Sequence, residues 1–236
     1  MRNFFDKHDM LVTIALIILY VLSNSICLNN FGVTDYRTAI VNTIFSIILL
    51  LLVSFLKKSK YYGLTKPDNV KSFLYFIPLV LIVSVNLWSG ININNTYSEI
   101  TFHIITMLNV GIIEELIFRG FLFKMMEKDN RKLAVIVSSV TFGIGHIINL
   151  FNGADVIPTL LQICYATSIG FLFVIIFYKS KSLIPCILAH AVNNSLSIFV
   201  EENSITLYIA PIFLIIVPII YSIYIIKKYK KKTMVS

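Results

Sequence analysis

The chain has 236 residues, 57% of them hydrophobic and 14% charged, with a mean hydropathy of +0.84. Soluble globular domains carry about 45–50% apolar and about 25% charged residues, so a water-soluble core is excluded and a bilayer is the matching solvent. A net charge of +8 would suit nucleic acid, and the placement of the charges decides against it.

Apolar stretches of about 17–25 residues cross a hydrocarbon core about 30 Å thick. In chain order such stretches fall near 10–28, 38–56, 73–88, 101–126, 133–150, 159–178, 183–199 and 205–226, the third and seventh being short. No linker, internal repeat or low-complexity tract divides them. The sequence predicts an all-α membrane protein with about eight transmembrane helices, forming one integral membrane domain over 1–236 with its motif-bearing core at about 101–199.

With the N-terminus placed in the cytoplasm, the inner segments hold Arg2 and Lys7; Lys57, Lys58, Lys60, Lys66 and Lys71; Lys124, Lys128, Arg131 and Lys132; Lys179 and Lys181; and Lys227, Lys228, Lys230, Lys231 and Lys232. The outer loops hold only Arg37, and Arg119 lies within a span. Lys and Arg are enriched in cytoplasmic loops of multi-span proteins. The charge is therefore a topology signal that places both termini in the cytoplasm, and no nucleic-acid partner is expected. Asp35, Glu99, Asp155, Glu201 and Glu202 fall on the outer side. Asp6 and Asp9 dilute the charge of the N-terminal region, so the first helix reads as an uncleaved signal anchor. Cys27, Cys164 and Cys186 lie in apolar segments without C-x-x-C spacing and are expected to be packing residues.

A charged side chain at mid-membrane costs about 2.5–3.5 kcal/mol on insertion scales, which makes intramembrane ionisable residues functional candidates. Applied along the chain, that filter returns Glu114, Glu115 and Arg119 in the fourth span, His146 in the fifth and His190 in the seventh; His8 and His103 lie near span ends. Residues 111–120 read GIIEELIFRG, an E-E-x-x-x-R pattern. Glu115 and Arg119 share a helix face and can pair. Glu114 is rotated about 100° from Glu115 and needs partners on other helices, or a proton. In the fifth span Phe142 and His146 form F-x-x-x-H, with Gly143 and Gly145 expected to admit a neighbouring helix closely. In the seventh, His190 and Asn194 form H-x-x-x-N. At about 1.5 Å per residue, Glu114, His146, His190 and Asn194 all fall about 12–20 Å from the cytoplasmic end of their spans.

A carboxylate beside two imidazoles and an amide suits hydrolysis. Glu114 would take a proton from water, His146 would orient that water or protonate the leaving amine, and His190 with Asn194 would hydrogen-bond the oxyanion. The same Glu114, His146 and His190 can alternatively bind a divalent metal such as zinc. H-E-x-x-H, a mid-span Asp pair and G-x-S-x-G are all absent from the sequence; Ser138 and Ser139 have no nucleophile motif around them.

The three motifs, in this order on successive helices, resemble those of the CPBP (CAAX protease and bacteriocin-processing, or Abi) family over about 111–195. The resemblance implies Glu114 as the water-activating glutamate, His146 as its partner, Glu115 paired with Arg119, and His190 with Asn194 on the oxyanion side. It also implies an eight-span plan. The family has been described both as metalloproteases and as metal-free glutamate-dependent peptidases, and it includes proteins of bacteriocin self-immunity. The Ile-, Asn- and Lys-rich composition resembles that of AT-rich bacteria, so a membrane-associated peptide or protein at a bacterial plasma membrane is the expected substrate, ahead of a prenylated CAAX protein. A non-catalytic bacteriocin-immunity or scaffold protein is the alternative reading, and a small transporter a more distant one.

Overall fold

The computed structural model describes residues 5, 7–67, 76–201, 203 and 205–232. Arg2, Asp6, Lys71 and Glu202 of the charge pattern, and the predicted start of the third span at 73–75, lie outside the described residues. The described chain forms α1 (Asp9–Phe31), α2 (Tyr36–Phe55), α3 (Ile77–Leu87), α4 (Tyr97–Glu127), α5 (Arg131–Phe151), α6 (Val156–Ser180), α7 (Ile184–Phe199) and α8 (Ile205–Lys228). All but α3 and α7 are long and apolar enough to cross a membrane. Among the described residues the sole β pairing is an isolated bridge between Ile91 and Val200. Large apolar side chains such as Leu22, Leu51, Ile136, Ile157 and Ile220 point outward. That arrangement suits lipid, since water would oppose so much exposed hydrocarbon.

The helices alternate in direction, and contacts sort their ends into two groups. At one end Lys128 pairs with Asp9 at 2.6 Å, the Tyr61 hydroxyl donates to the Lys124 carbonyl, and the Leu183 amide donates to the Gly63 carbonyl. Lys60, Lys124 and Lys181 line a common hollow there. At the other end Asn29 donates to Asn152, the Asn92 amide to the Phe199 carbonyl, and Asn203 to the Ser89 carbonyl. The lysine-rich connections thus gather at one end of the bundle.

Helix α4 is the axis, packing against α2, α5 and α7, while α6 backs α5 and α8. Its first turn is fixed by a capping box: the Thr96 side chain accepts from the Glu99 amide, and the Glu99 carboxylate accepts from the Thr96 amide. Glu99, expected in an outer loop, therefore sits in the helix, where it satisfies a backbone donor that would otherwise be orphaned. Beyond Glu115 the helix widens into a π-helix over Leu116–Phe123, all eight residues of which are buried. Such i→i+5 turns are rare and concentrate at functional sites. Helix α5 is interrupted: its regular part ends at Gly145, His146 is the C-cap, and helix resumes at Ile148–Phe151.

Close approach depends on particular glycines. A Cβ on Gly111 would lie 2.9 Å from the Ala191 backbone, so α4 and α7 meet there nearly backbone to backbone. A Cβ on Gly143 would run into Thr167 and reach 2.7 Å from the Ile163 carbonyl on α6. Gly145, expected to play the same part, has open space instead, because two residues on it lies about 200° round the helix from Gly143 and faces away from α6. Cys27 and Cys186 are buried as expected, but Cys164 is exposed: its position on α6 faces outward, where a thiol meets lipid without penalty.

Gly111→Ala should lower the thermal stability of the detergent-solubilised protein by about 1–3 kcal/mol, the usual cost of overpacking. Gly145→Ala should leave it unchanged or slightly raised. Unfolding midpoints of the two variants check the contrast.

Candidate active site

The sequence of α4 turns its two adjacent glutamates in different directions. Glu115 points into the bundle, where its side chain and that of Arg119 are completely buried. Glu115 Oε1 accepts from Arg119 Nη1 at 3.1 Å and meets His190 Nδ1 at 2.9 Å. The guanidinium lies over the Phe142 ring, 4.0 Å from its centroid, with the Phe173 ring at 5.6 Å. Gly170 makes room for it, since a Cβ there would come within 2.9 Å of Arg119 Nη2. Arg119 Nε and Nη2 and Glu115 Oε2 are buried without hydrogen-bond partners among the described residues. Aromatic faces stand in for the missing acceptors, an exchange open to the weakly hydrated guanidinium.

Glu114 points instead into a cavity of about 360 Å³ lined by every helix except α2. Its Oε1 accepts from the Tyr20 hydroxyl of α1 at 2.8 Å, and its Oε2 lies 3.5 Å from His190 Nε2. His190 therefore bridges the two glutamates, one ring nitrogen to each. Arg119, Glu115, His190 and Glu114 thus form one continuous chain of polar contacts. His146 lines the same cavity with its ring edge-on to Phe142 at 5.5 Å, and no hydrogen bond occupies its ring nitrogens among the described residues. Asn194 lines the cavity one turn beyond His190, its Oδ1 in a long 3.4 Å contact with Asn193 Nδ2. The fold thus brings Glu114, His146, His190 and Asn194 to one cavity, with Glu115, Arg119 and Phe142 packed behind them.

Two residues outside the expected set belong to this arrangement. Tyr20 is 3% exposed and holds Glu114 from α1. Its signal was available: tyrosines favour membrane interfaces, so a hydroxyl near the middle of an apolar span calls for a partner. His103, set aside as a span-end residue, is buried; its Nε2 lies 3.1 Å from the Asn194 carbonyl oxygen and ties α4 to the end of α7. Its position near a helix end hid this role, because α7 is short and stops at the same level.

Among the described residues no three His, Cys, Asp or Glu side chains are grouped to hold a metal ion. Glu114 is engaged by Tyr20, and both nitrogens of His190 are turned to glutamates. Glu114, His146 and His190 do not form a ready metal site in this geometry.

Arg119→Met would strand Glu115 as a buried charge, at a cost of about 3–5 kcal/mol. Arg119→Lys should rescue it only in part, because an ammonium neither stacks nor forks as a guanidinium does. Thermal unfolding in detergent should rank the three proteins in that order.

No curated protein gives a significant match to this chain. Residues 95–196 match the family model described as Type II CAAX prenyl endopeptidase Rce1-like. That stretch runs from just before α4 into the last turn of α7 and contains Glu114, Glu115, Arg119, Phe142, His146, His190 and Asn194, but not Tyr20. The match covers less than half of the chain, and over that segment the chain is similar to Rce1-like CAAX endopeptidases of the CPBP family, in agreement with the three motifs.

Proposed function

We propose that this protein is an intramembrane endopeptidase in which Glu114 activates the hydrolytic water. The observation that carries the reading is the placement of Glu114: a carboxylate held from both sides, by Tyr20 at 2.8 Å and His190 at 3.5 Å, in a cavity shared with the imidazole of His146, whose nitrogens have no hydrogen-bond partner among the described residues. A structural glutamate would be expected to resemble Glu115, sealed and ion-paired.

In the proposed reaction Glu114 accepts a proton from water as the oxygen attacks the scissile carbonyl. The C–O bond forms, and the charge developing on the carbonyl oxygen is met by the Asn194 amide and by the N–H of His190 Nε2, released from Glu114 as that carboxylate takes up its proton. His146 carries that proton from Glu114 to the leaving nitrogen as the carbonyl re-forms and the C–N bond breaks, which returns both side chains to their starting state. Glu115 acts through His190: it holds Nδ1, so that Nε2 is aimed at Glu114. Tyr20 fixes the carboxylate rotamer. The substrate is a membrane-associated peptide or protein, and the setting a bacterial plasma membrane, in peptide or bacteriocin processing or in self-immunity. Composition favours these over a prenylated CAAX protein.

Cleavage by purified protein in proteoliposomes, read by mass spectrometry on quenched peptides with and without a prenylated CAAX end, tests the reading. Glu114→Gln should lower turnover about 10²–10⁴-fold, the usual share of a general base. Asn194→Ala should cost about 10²–10³-fold, as for a lost oxyanion donor. Tyr20→Phe should cost about tenfold, the equivalent of one charge-assisted hydrogen bond. An immunity phenotype that survives Glu114→Gln would favour a non-catalytic binding role.

A further inference from the structure

The cavity has a direction. On α1 its lining runs from Tyr20 to Leu28, on α4 from Phe118 back to Thr106, on α5 from Phe142 to Asn152, on α6 from Phe173 back to Gln162, and on α7 from Ala189 to Ser197. These helices alternate in direction. Even so, on each one the lining begins near the middle and proceeds toward the end remote from the lysine-rich connections. Burial follows the same course. Phe118, Phe142, Phe173 and Ala189 at the inner limit are buried, whereas Ser25, Asn149, Asn152, Gln162 and Asn194 are partly exposed and Ser197 is exposed. Behind Glu114 the wholly buried π segment Leu116–Phe123 closes the bundle toward the lysine-rich end.

The open half is lined by neutral amides: Asn24, Asn149, Asn152 and Gln162 toward α1, α5 and α6, with Asn86 and Asn193 toward α3 and α7. No Lys or Arg is among the described lining residues, and Glu114, His146, His190 and two tyrosines are their titratable groups. Carboxamides offer both donors and acceptors and so match the groups of a peptide backbone. Asn152 caps the mouth by accepting from Ser25 and Asn29, each at 2.8 Å, and Asn149 donates to Gln162 at 2.8 Å. These are exchangeable hydrogen bonds between side chains on different helices, which an entering backbone can replace one for one.

We propose that the site is loaded from the face of the membrane opposite the lysine-rich connections, which the positive-inside rule makes the extracytoplasmic face. Its substrate is an uncharged, extended peptide segment on that face, bound through its backbone by the amide-lined mouth. The word substrate rests on the peptidase reading above; the route of access does not.

Sided labelling tests it. Cys27, Cys164 and Cys186 are replaced by Ala, and single cysteines are introduced as Asn152→Cys or Asn149→Cys at the mouth and Lys60→Cys at the lysine-rich end. A membrane-impermeant maleimide is applied to intact bacterial cells and to inside-out vesicles. The expected result is labelling of both mouth positions in intact cells and of Lys60→Cys only in inside-out vesicles. Mouth cysteines that react only in inside-out vesicles, or from neither side, overturn the proposal. A bulky maleimide on Asn149→Cys should also abolish cleavage of a quenched peptide. Labelling from outside together with cleavage that survives Glu114→Gln would leave the access route standing and remove the peptidase reading.

Discussion

The interaction on which the rest depends is the buried group of Glu115, Arg119 and His190. A carboxylate and a guanidinium with no exposure are tolerable in a membrane protein only as a pair. That requirement fixes much of the surrounding structure. Phe142 and Phe173 must lie against the guanidinium, Gly170 must leave it space, and α7 must come close enough for His190 to reach Glu115. The approach of α7 in turn requires Gly111 opposite Ala191. Once His190 is anchored through Nδ1, its other nitrogen has a defined direction, and that direction leads to Glu114.

The adjacent glutamates therefore divide two tasks. Glu115 is sealed and organises three helices. Glu114, about 100° further round the helix, meets the cavity and is held by single contacts from α1 and α7. Placing a cavity-facing carboxylate beside a sealed one on the same turn couples its position to the stability of the fold. The π-helix that follows serves this division: its wide turns bury eight consecutive residues and close the bundle on one side of the site, leaving the opening on the other.

Much of this was legible in the sequence, for physical reasons that differ by element. The spans were readable because hydrocarbon demands a minimum apolar length, and the long helices start and end close to the expected positions. The site residues stood out because charge and imidazole are costly at that depth. Pairing of Glu115 with Arg119 and the Phe142–His146 contact followed from four-residue spacing alone. What escaped was whatever depends on the neighbouring helix. Gly143 and Gly145 look equivalent in sequence, yet only Gly143 meets α6. Cys164 looks like Cys186, yet it faces outward. Tyr20 and His103 carry little penalty of their own, so a filter built on cost passed over them, although each fixes a group at the site. The π-helix has no spacing signature that distinguishes it from a continuous α-helix.

The central claim is that a water molecule activated at Glu114 ends in the product of peptide cleavage. Its most direct measurement is mass spectrometry of a membrane-inserted peptide cleaved by the reconstituted protein in heavy-oxygen water. The expected result is one heavy oxygen in the new C-terminal carboxylate, formed by the native chain and not by Glu114→Gln. Labelled product formed at equal rate by Glu114→Gln would contradict it.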